Sequence, residues 1–105
     1  MYTRTVRIKL RAGSVQEFRR LLEQRIVPLL RAHKGFQNEI TLVDSKRSEA
    51  IAISFWDNQG DADAYNHIGY LDVLRALSKV VESLPVVETF DISDSTLRKL
   101  AASAA

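Results

Sequence analysis

Apolar residues recur along this chain with two different periods, and the places where the period changes mark its elements. From Tyr2 to Arg11 the alternation has period two. Tyr2, Val6, Ile8 and Leu10 share one face and Thr3, Thr5, Arg7 and Lys9 the other, which predicts a strand ended by Ala12-Gly13. Ser14-Val15-Gln16-Glu17 then matches a capping box, and Val15, Phe18, Leu22, Ile26 and Leu29 follow at helical spacing. Pro28 lacks an N–H and clashes with the preceding turn, so a kink is expected between Gln24 and Pro28. Arg31, His33 and Lys34 crowd the last turn, where cations suit the helix dipole, and Gly35 is placed to close it.

Phe36 to Asp44 reads as a second strand with Phe36, Ile40 and Leu42 on one face. After the short turn Ser45–Ser48, the third strand, Glu49 to Trp56, is nearly all apolar or small, as a central strand covered on both faces should be. Asp57-Asn58-Gln59-Gly60 breaks the pattern and can cap a helix from Asp61 to Ser83. That helix changes face. Val73, Leu77, Val80, Val81 and Leu84 form one stripe, whereas Ala62, Tyr65 and Ile68 are rotated from it, so a break is expected at Gly69. Pro85 stops the helix, Val86 to Ser93 forms a fourth strand, and residues 95–105 form an Ala-rich tail of at most a helical turn or two.

The order strand–helix–strand–strand–helix–strand gives an α+β, ferredoxin-like antiparallel sheet with both helices on one face. Strand three nevertheless offers Ile51, Ile53 and Phe55 to one side and Ala52 and Trp56 to the other. The second face needs a cover that this chain lacks, which predicts a homodimer formed through the open sheet face.

Composition narrows the chemistry. At 105 residues the chain fits one domain, placed at residues 1–94, and lacks cysteine, so thiolate metal sites and cysteine nucleophiles are excluded. The cysteine-free composition, together with the absence of a signal-like or membrane-length apolar run, is what a cytoplasmic protein would show. The charge of +2 is unevenly spread: residues 1–34 carry nine Lys/Arg against two acids. This suits complementary solvated faces or a basic mouth for an anionic ligand. No aromatic-interleaved basic motif points to nucleic acid.

Gly35-Phe36, the strand Ile51-Ala52-Ile53-Ser54-Phe55-Trp56, the polar turn after it and Ala64-Tyr65 together resemble the antibiotic biosynthesis monooxygenase (ABM) domain, across roughly Tyr2 to Ser93. The resemblance implies a dimeric α+β barrel of two sheets packed face to face. It also implies chemistry with neither metal nor flavin, in which a phenolic or quinol-like substrate reacts with molecular oxygen. Two other functions occur among such proteins: a non-catalytic, ligand-binding or stress-related module, and haem binding with degradation.

In that setting Trp56 is a candidate to wall an aromatic substrate and donate one hydrogen bond, or else a core tryptophan. Tyr65, Asn66 and Tyr70, around the Gly69 break, are candidates to anchor substrate oxygens, or else edge packing and a local cap. Phe36 joins them as a substrate contact. His67 is the candidate base, or else a solvated surface residue. His33 has a simple role at a helix C-terminus, and Arg75 one as a surface ion pair. Two histidines without an acid partner at ligand spacing do not predict a metal site. Haem degraders of the superfamily are similar to one another in an Asn, Trp and His set. Trp56 matches the Trp, but strand one carries Arg4, Thr5 and Arg7 and no Asn.

Overall fold

The computed structural model describes residues 1–96. Four strands, β1 (Tyr2–Lys9), β2 (Phe36–Asp44), β3 (Glu49–Trp56) and β4 (Val86–Asp91), pair antiparallel in the order β2-β3-β1-β4. This is the split β-α-β arrangement expected from the element order. The helical segments are α1 (Val15–Leu21), a π-helical turn (Leu22–Ile26), α2 (Val27–Arg31), α3 (Gln59–Ile68) and α4 (Tyr70–Leu77). Residues 97–105, where most of the Ala-rich tail was placed, lie outside the described residues.

The core forms where β1 and β3 present alternate residues to the helices. Tyr2, Val6 and Ile8 from β1, and Ala50 and Trp56 from β3, pack against Phe18, Leu21, Ile26, Leu30, Ala62, Tyr65, Val73 and Leu77. The expected kink around Pro28 takes the form of the π turn. Its wide loop absorbs one extra residue, so burial steps five positions from Leu21 to Ile26 before resuming at Leu30. The break at Gly69 is present, and it separates α3, buried through Ala62 and Tyr65, from α4, buried through Val73 and Leu77.

Several expectations fail for identifiable reasons. The Ser14 capping box does not form, because Glu17 pairs with Arg20 instead of reaching back. The second helix ends at Leu77 rather than Ser83. Beyond it, the Arg11 N–H donates to the Val80 carbonyl and the Glu82 N–H to the Lys9 carbonyl, at 2.8 Å each. Those long-range bonds draw the chain out of the helix, and β1 correspondingly ends at Lys9, with Leu10 bridging to Val81. Phe36 does not share a face with Ile40 and Leu42. A bulge between Phe36 and Asn38 inverts the alternation, so Phe36 pairs with Trp56 on the core side while Ile40 and Leu42 face outward.

The sheet face away from the helices carries Ile40, Leu42, Val86 and Phe90, each more than 40% exposed. Ile51, Ile53 and Phe55 share that face by register. Among the described residues, no helix is long and apolar enough to cross a membrane.

Candidate functional site

The third residue of β1, Arg4, breaks the apolar pattern of the inner face. The side chains of Tyr2, Val6 and Ile8 go into the core, and by the same alternation so does that of Arg4, which is only 2% exposed. A buried guanidinium is costly unless its charge is met. Its Nη2 donates to Asn66 Oδ1 at 2.8 Å, and its central carbon lies 4.0 Å over the ring of Tyr70 and 5.2 Å from that of Tyr65. Among the described residues Arg4 takes part in no ion pair with a carboxylate. Burial lowers its pKa, and the neighbouring phenols act in the opposite direction.

The neighbours of Arg4 are held by an aromatic stack. Tyr65 lies nearly parallel to Trp56 at 5.0 Å between ring centroids, and Phe36 meets Trp56 edge-on at 5.6 Å. His33 meets Tyr65 edge-on at 5.1 Å. Burial pushes the Tyr65 phenol up to about 12, and the Tyr70 phenol up as well, with Arg4 opposing both shifts. Both phenols therefore stay protonated near neutral pH. The Tyr70 hydroxyl is buried and has no partner of normal hydrogen-bond geometry. The guanidinium lies over its ring rather than in line with its O–H, so it acts on the phenol chiefly through its charge.

These residues border a cavity of about 40 Å³ between sheet and helices. Its polar lining includes Arg4, Ser54, Tyr65 and Tyr70; Val6, Phe18, Ile26 and Val73 are among its apolar lining. Glu39 also lines it, with its carboxylate accepting from the Thr41 hydroxyl at 2.7 Å. Such a volume holds about one water, whose share of liquid volume is roughly 30 Å³. It is far too small for a haem.

The candidate residues separate accordingly. Tyr65 and Tyr70 line the cavity, and Asn66, though exposed, reaches Arg4 with its side chain. Trp56 is wholly buried behind Tyr65, and its indole N–H donates to Ser54 Oγ at 2.9 Å rather than into the cavity. Phe36 backs Trp56 and borders a separate surface groove with Arg31 and Gln37. His67 is exposed and outside the cavity lining. Arg75 is exposed and paired with Asp72. Among the described residues, no group of three or more His, Cys, Asp or Glu is placed to hold a metal ion.

Arg4 is the residue that sequence reasoning missed as a site. The available signal was its parity: an arginine on the alternate positions that carry Tyr2, Val6 and Ile8.

The family model described as antibiotic biosynthesis monooxygenase matches residues 1–83. No curated protein matches the chain by sequence. Among solved structures, the chain is similar to SnoaB, a cofactor-independent oxygenase from Streptomyces nogalater, with 16% identity and a TM-score of 0.75 over 92% of this chain and 97% of that one. It is also similar to a monooxygenase from the gene ActVA-Orf6 of Streptomyces coelicolor, solved with the ligand nanaomycin D. There the identity is 11% and the TM-score 0.76, over 91% of this chain and 90% of the other. A protein of unknown function from Nitrosomonas europaea matches at 16% identity and a TM-score of 0.74, over 91% and 92% of the two chains. At these identities the likeness to solved structures is one of fold.

Proposed function

The chain belongs to the antibiotic biosynthesis monooxygenase family, and from that premise we propose that it oxygenates a small aromatic compound bearing an ionisable hydroxyl, with molecular oxygen as oxidant. The observation that carries this reading is Arg4, a buried guanidinium beside a largely apolar cavity, with no carboxylate within ion-pair distance among the described residues. Such a charge favours a ligand that arrives as, or becomes, an anion.

The anion of a quinol or an anthrone is electron-rich enough to pass an electron to dioxygen without a cofactor. In the simplest balanced form, an aromatic-activated CH₂ loses four electrons to O₂. One oxygen atom becomes the new carbonyl, and the other leaves as water with the two displaced hydrogens. Substrate supplies all the electrons, so this chemistry needs no bound cofactor. The protein's part is to hold the anion and exclude water. In this reading Arg4 stabilises the oxyanion, Asn66 orients Arg4, and Tyr65 and Tyr70 face the substrate ring. Trp56 and Phe36 back Tyr65 from behind. His67, being exposed, is left to solvent, and the phenolic proton goes to water as Arg4 stabilises its conjugate base.

The working unit in this proposal is a homodimer formed through the open sheet face, whose exposed Ile40, Leu42 and Phe90 support it. The cytoplasm is its proposed location, on the strength of the cysteine-free composition.

Oxygen uptake by the purified protein, measured over a panel of quinols and anthrones, tests the activity. At least one compound should be consumed with one O₂ per turnover, and Arg4→Met should slow it about a hundredfold, as loss of an oxyanion donor does. No uptake above background with any compound would refute the reaction. The small cavity favours a second reading, a ligand-binding module without catalysis. In the same assay that reading appears as binding without uptake.

A further inference from the structure

The cavity beside Arg4 is too small for the ring that the proposed function requires, at about 40 Å³. One element of its wall nevertheless has the size and shape of such a ring. Tyr70 is the first residue of α4, next to the break at Gly69, and only half-buried. Its phenol lies face-on to the Arg4 guanidinium at 4.0 Å. Its hydroxyl is buried and meets Arg4 without normal hydrogen-bond geometry, an environment that a phenolic O–H does not favour.

The arrangement is that of a bound phenol, supplied by the protein itself. A cation–π contact of this kind contributes about 0.5–2 kcal/mol, and a buried hydroxyl without a partner costs about 1–3 kcal/mol. The two nearly cancel, so the ring is held in place weakly. A ligand that offers Arg4 a charge rather than a ring face has the advantage. An ionised oxygen bonded to a guanidinium forms a charge-assisted hydrogen bond, roughly twice as strong as a neutral one.

We propose that Tyr70 is a displaceable plug in an aromatic-anion site, and that the group this site takes is the ionised hydroxyl of a phenol or enol, seated on Arg4 with its ring in the space Tyr70 vacates. The inference rests on the reading that the ligand enters this cavity. It adds the side chain that must move for the ligand's ring to reach Arg4.

Of the remaining groups, Arg4 is the cation in the lining and the Glu39 carboxylate opposes an anion there, so the site depends on Arg4 outweighing it. Tyr65 is held in its stack by Trp56 and stays as the fixed wall, while Ser54 contributes a hydroxyl already engaged with Trp56. Asn66 holds one edge of the guanidinium and presents only its acceptor oxygen to it. Glu39, the carboxylate in the lining, is outside ion-pair distance of Arg4 and bonded to Thr41.

The test is a binding measurement on the full chain with para-nitrophenol, whose ionised form absorbs in the visible, and para-nitroanisole, its neutral analogue that cannot ionise. Wild-type protein should bind the ionised phenol at least about tenfold more tightly than the anisole, so the bound phenol's acid constant moves to lower pH by about one unit. Tyr70→Ala should tighten phenolate binding by about twofold, because a plug held near balance occupies the site about half the time and no longer competes. Tyr70→Phe, which keeps the ring, should bind more weakly than Tyr70→Ala. Arg4→Met should abolish the preference for the ionised form.

Equal affinity of the wild type for phenolate and anisole would overturn the proposal without recourse to any variant. So would a Tyr70→Ala protein that binds phenolate no better than wild type, or an Arg4→Met protein that keeps the preference. The probe is read by binding alone. Failure of oxygen uptake therefore counts against the reaction and not against this site, whereas equal affinities count against this site and not against the reaction.

Discussion

Gly69 joins α3 to α4 with φ −105° and ψ −27°, a conformation that any L-residue adopts. Backbone geometry therefore does not require glycine there; space does. A Cβ built at this position would stand 2.7 Å from His33 Cε1, closer still to Nε2, and 3.0 Å from Tyr65 Cδ1. The perturbation Gly69→Ala thus sets two effects of opposite sign against each other. Alanine is favoured over glycine in helical backbone by about 0.8–1 kcal/mol. Against it, the His33 ring must retreat by about 1 Å to reach an ordinary contact of roughly 3.5–4.0 Å. The retreat weakens its edge-on contact with Tyr65, about 0.5–1.5 kcal/mol, and crowding against Tyr65, which is fixed in its stack, adds overpacking of about 1–3 kcal/mol. The clash wins, and Gly69→Ala should destabilise by about 1–2 kcal/mol, a fall in Tm of roughly 5–10 °C for a domain of this size. His33→Ala removes the nearest obstacle. In that background only the crowding against Tyr65 remains, so Gly69→Ala should cost less by about 0.5–1.5 kcal/mol, which is the coupling a double-mutant cycle reads. The assay is urea unfolding of the four proteins. If Gly69→Ala destabilises equally with and without the His33 ring, the packing argument is wrong. A stabilising Gly69→Ala in the wild type would refute it more directly.

Ser54→Ala should cost about 1–3 kcal/mol in urea unfolding, because it leaves the fully buried Trp56 N–H without its acceptor. Stability should also fall at high pH. The Tyr65 phenol ionises near 10.0 when unfolded and about 12 when folded, so above pH 10 the unfolded state releases a proton that the folded state still holds. Stability from this source is intact below pH 10 and declines by about 2–3 kcal/mol as pH rises through about 12. Denaturant melts of Tyr65→Phe should show a shallower decline over that window. For the proposed dimer, light scattering should give twice the 11.9 kDa chain mass for the wild type, and Leu42→Lys combined with Phe90→Lys should return it to a single chain.

The fold was legible because alternation and helical spacing are local signals, and here they agree from Tyr2 to Trp56 and again from Ala62 to Leu77. What was not legible depends on contacts far along the chain. The end of the second helix at Leu77 is imposed by bonds from Val80 and Glu82 to residues of the β1 end, about seventy positions away. The inward turn of Phe36 depends on a bulge at Gln37, a position that neither glycine nor proline occupies. The site was half legible for the same reason. Tyr65, Asn66 and Tyr70 stood out because the stripe changes face between them. Arg4 did not, because a strand's period reports which face a residue occupies and says nothing of what meets it there. Only the placement of α3 across β1 shows that Asn66 and two phenol rings receive the arginine.

That placement also separates stability from function at this site. Replacing a buried ionic group by an apolar one of similar volume is often neutral or stabilising. Arg4 is compensated by one hydrogen bond to an exposed side chain and two ring faces, which together offset only part of the cost of burying its charge. Were Arg4 serving the fold alone, a residue such as the neighbouring Val6 or Ile8 would serve it better on the same face. The same holds for the Tyr70 hydroxyl, which a phenylalanine would spare from burial without a partner. Two neighbouring inner side chains thus carry polar groups that the closed fold satisfies only in part, and they face one cavity. A structure whose local choices otherwise agree with its fold departs from that agreement where something outside the chain is expected to bind. Here the departure is charged and aromatic, and it lies where β1 meets the joint between α3 and α4.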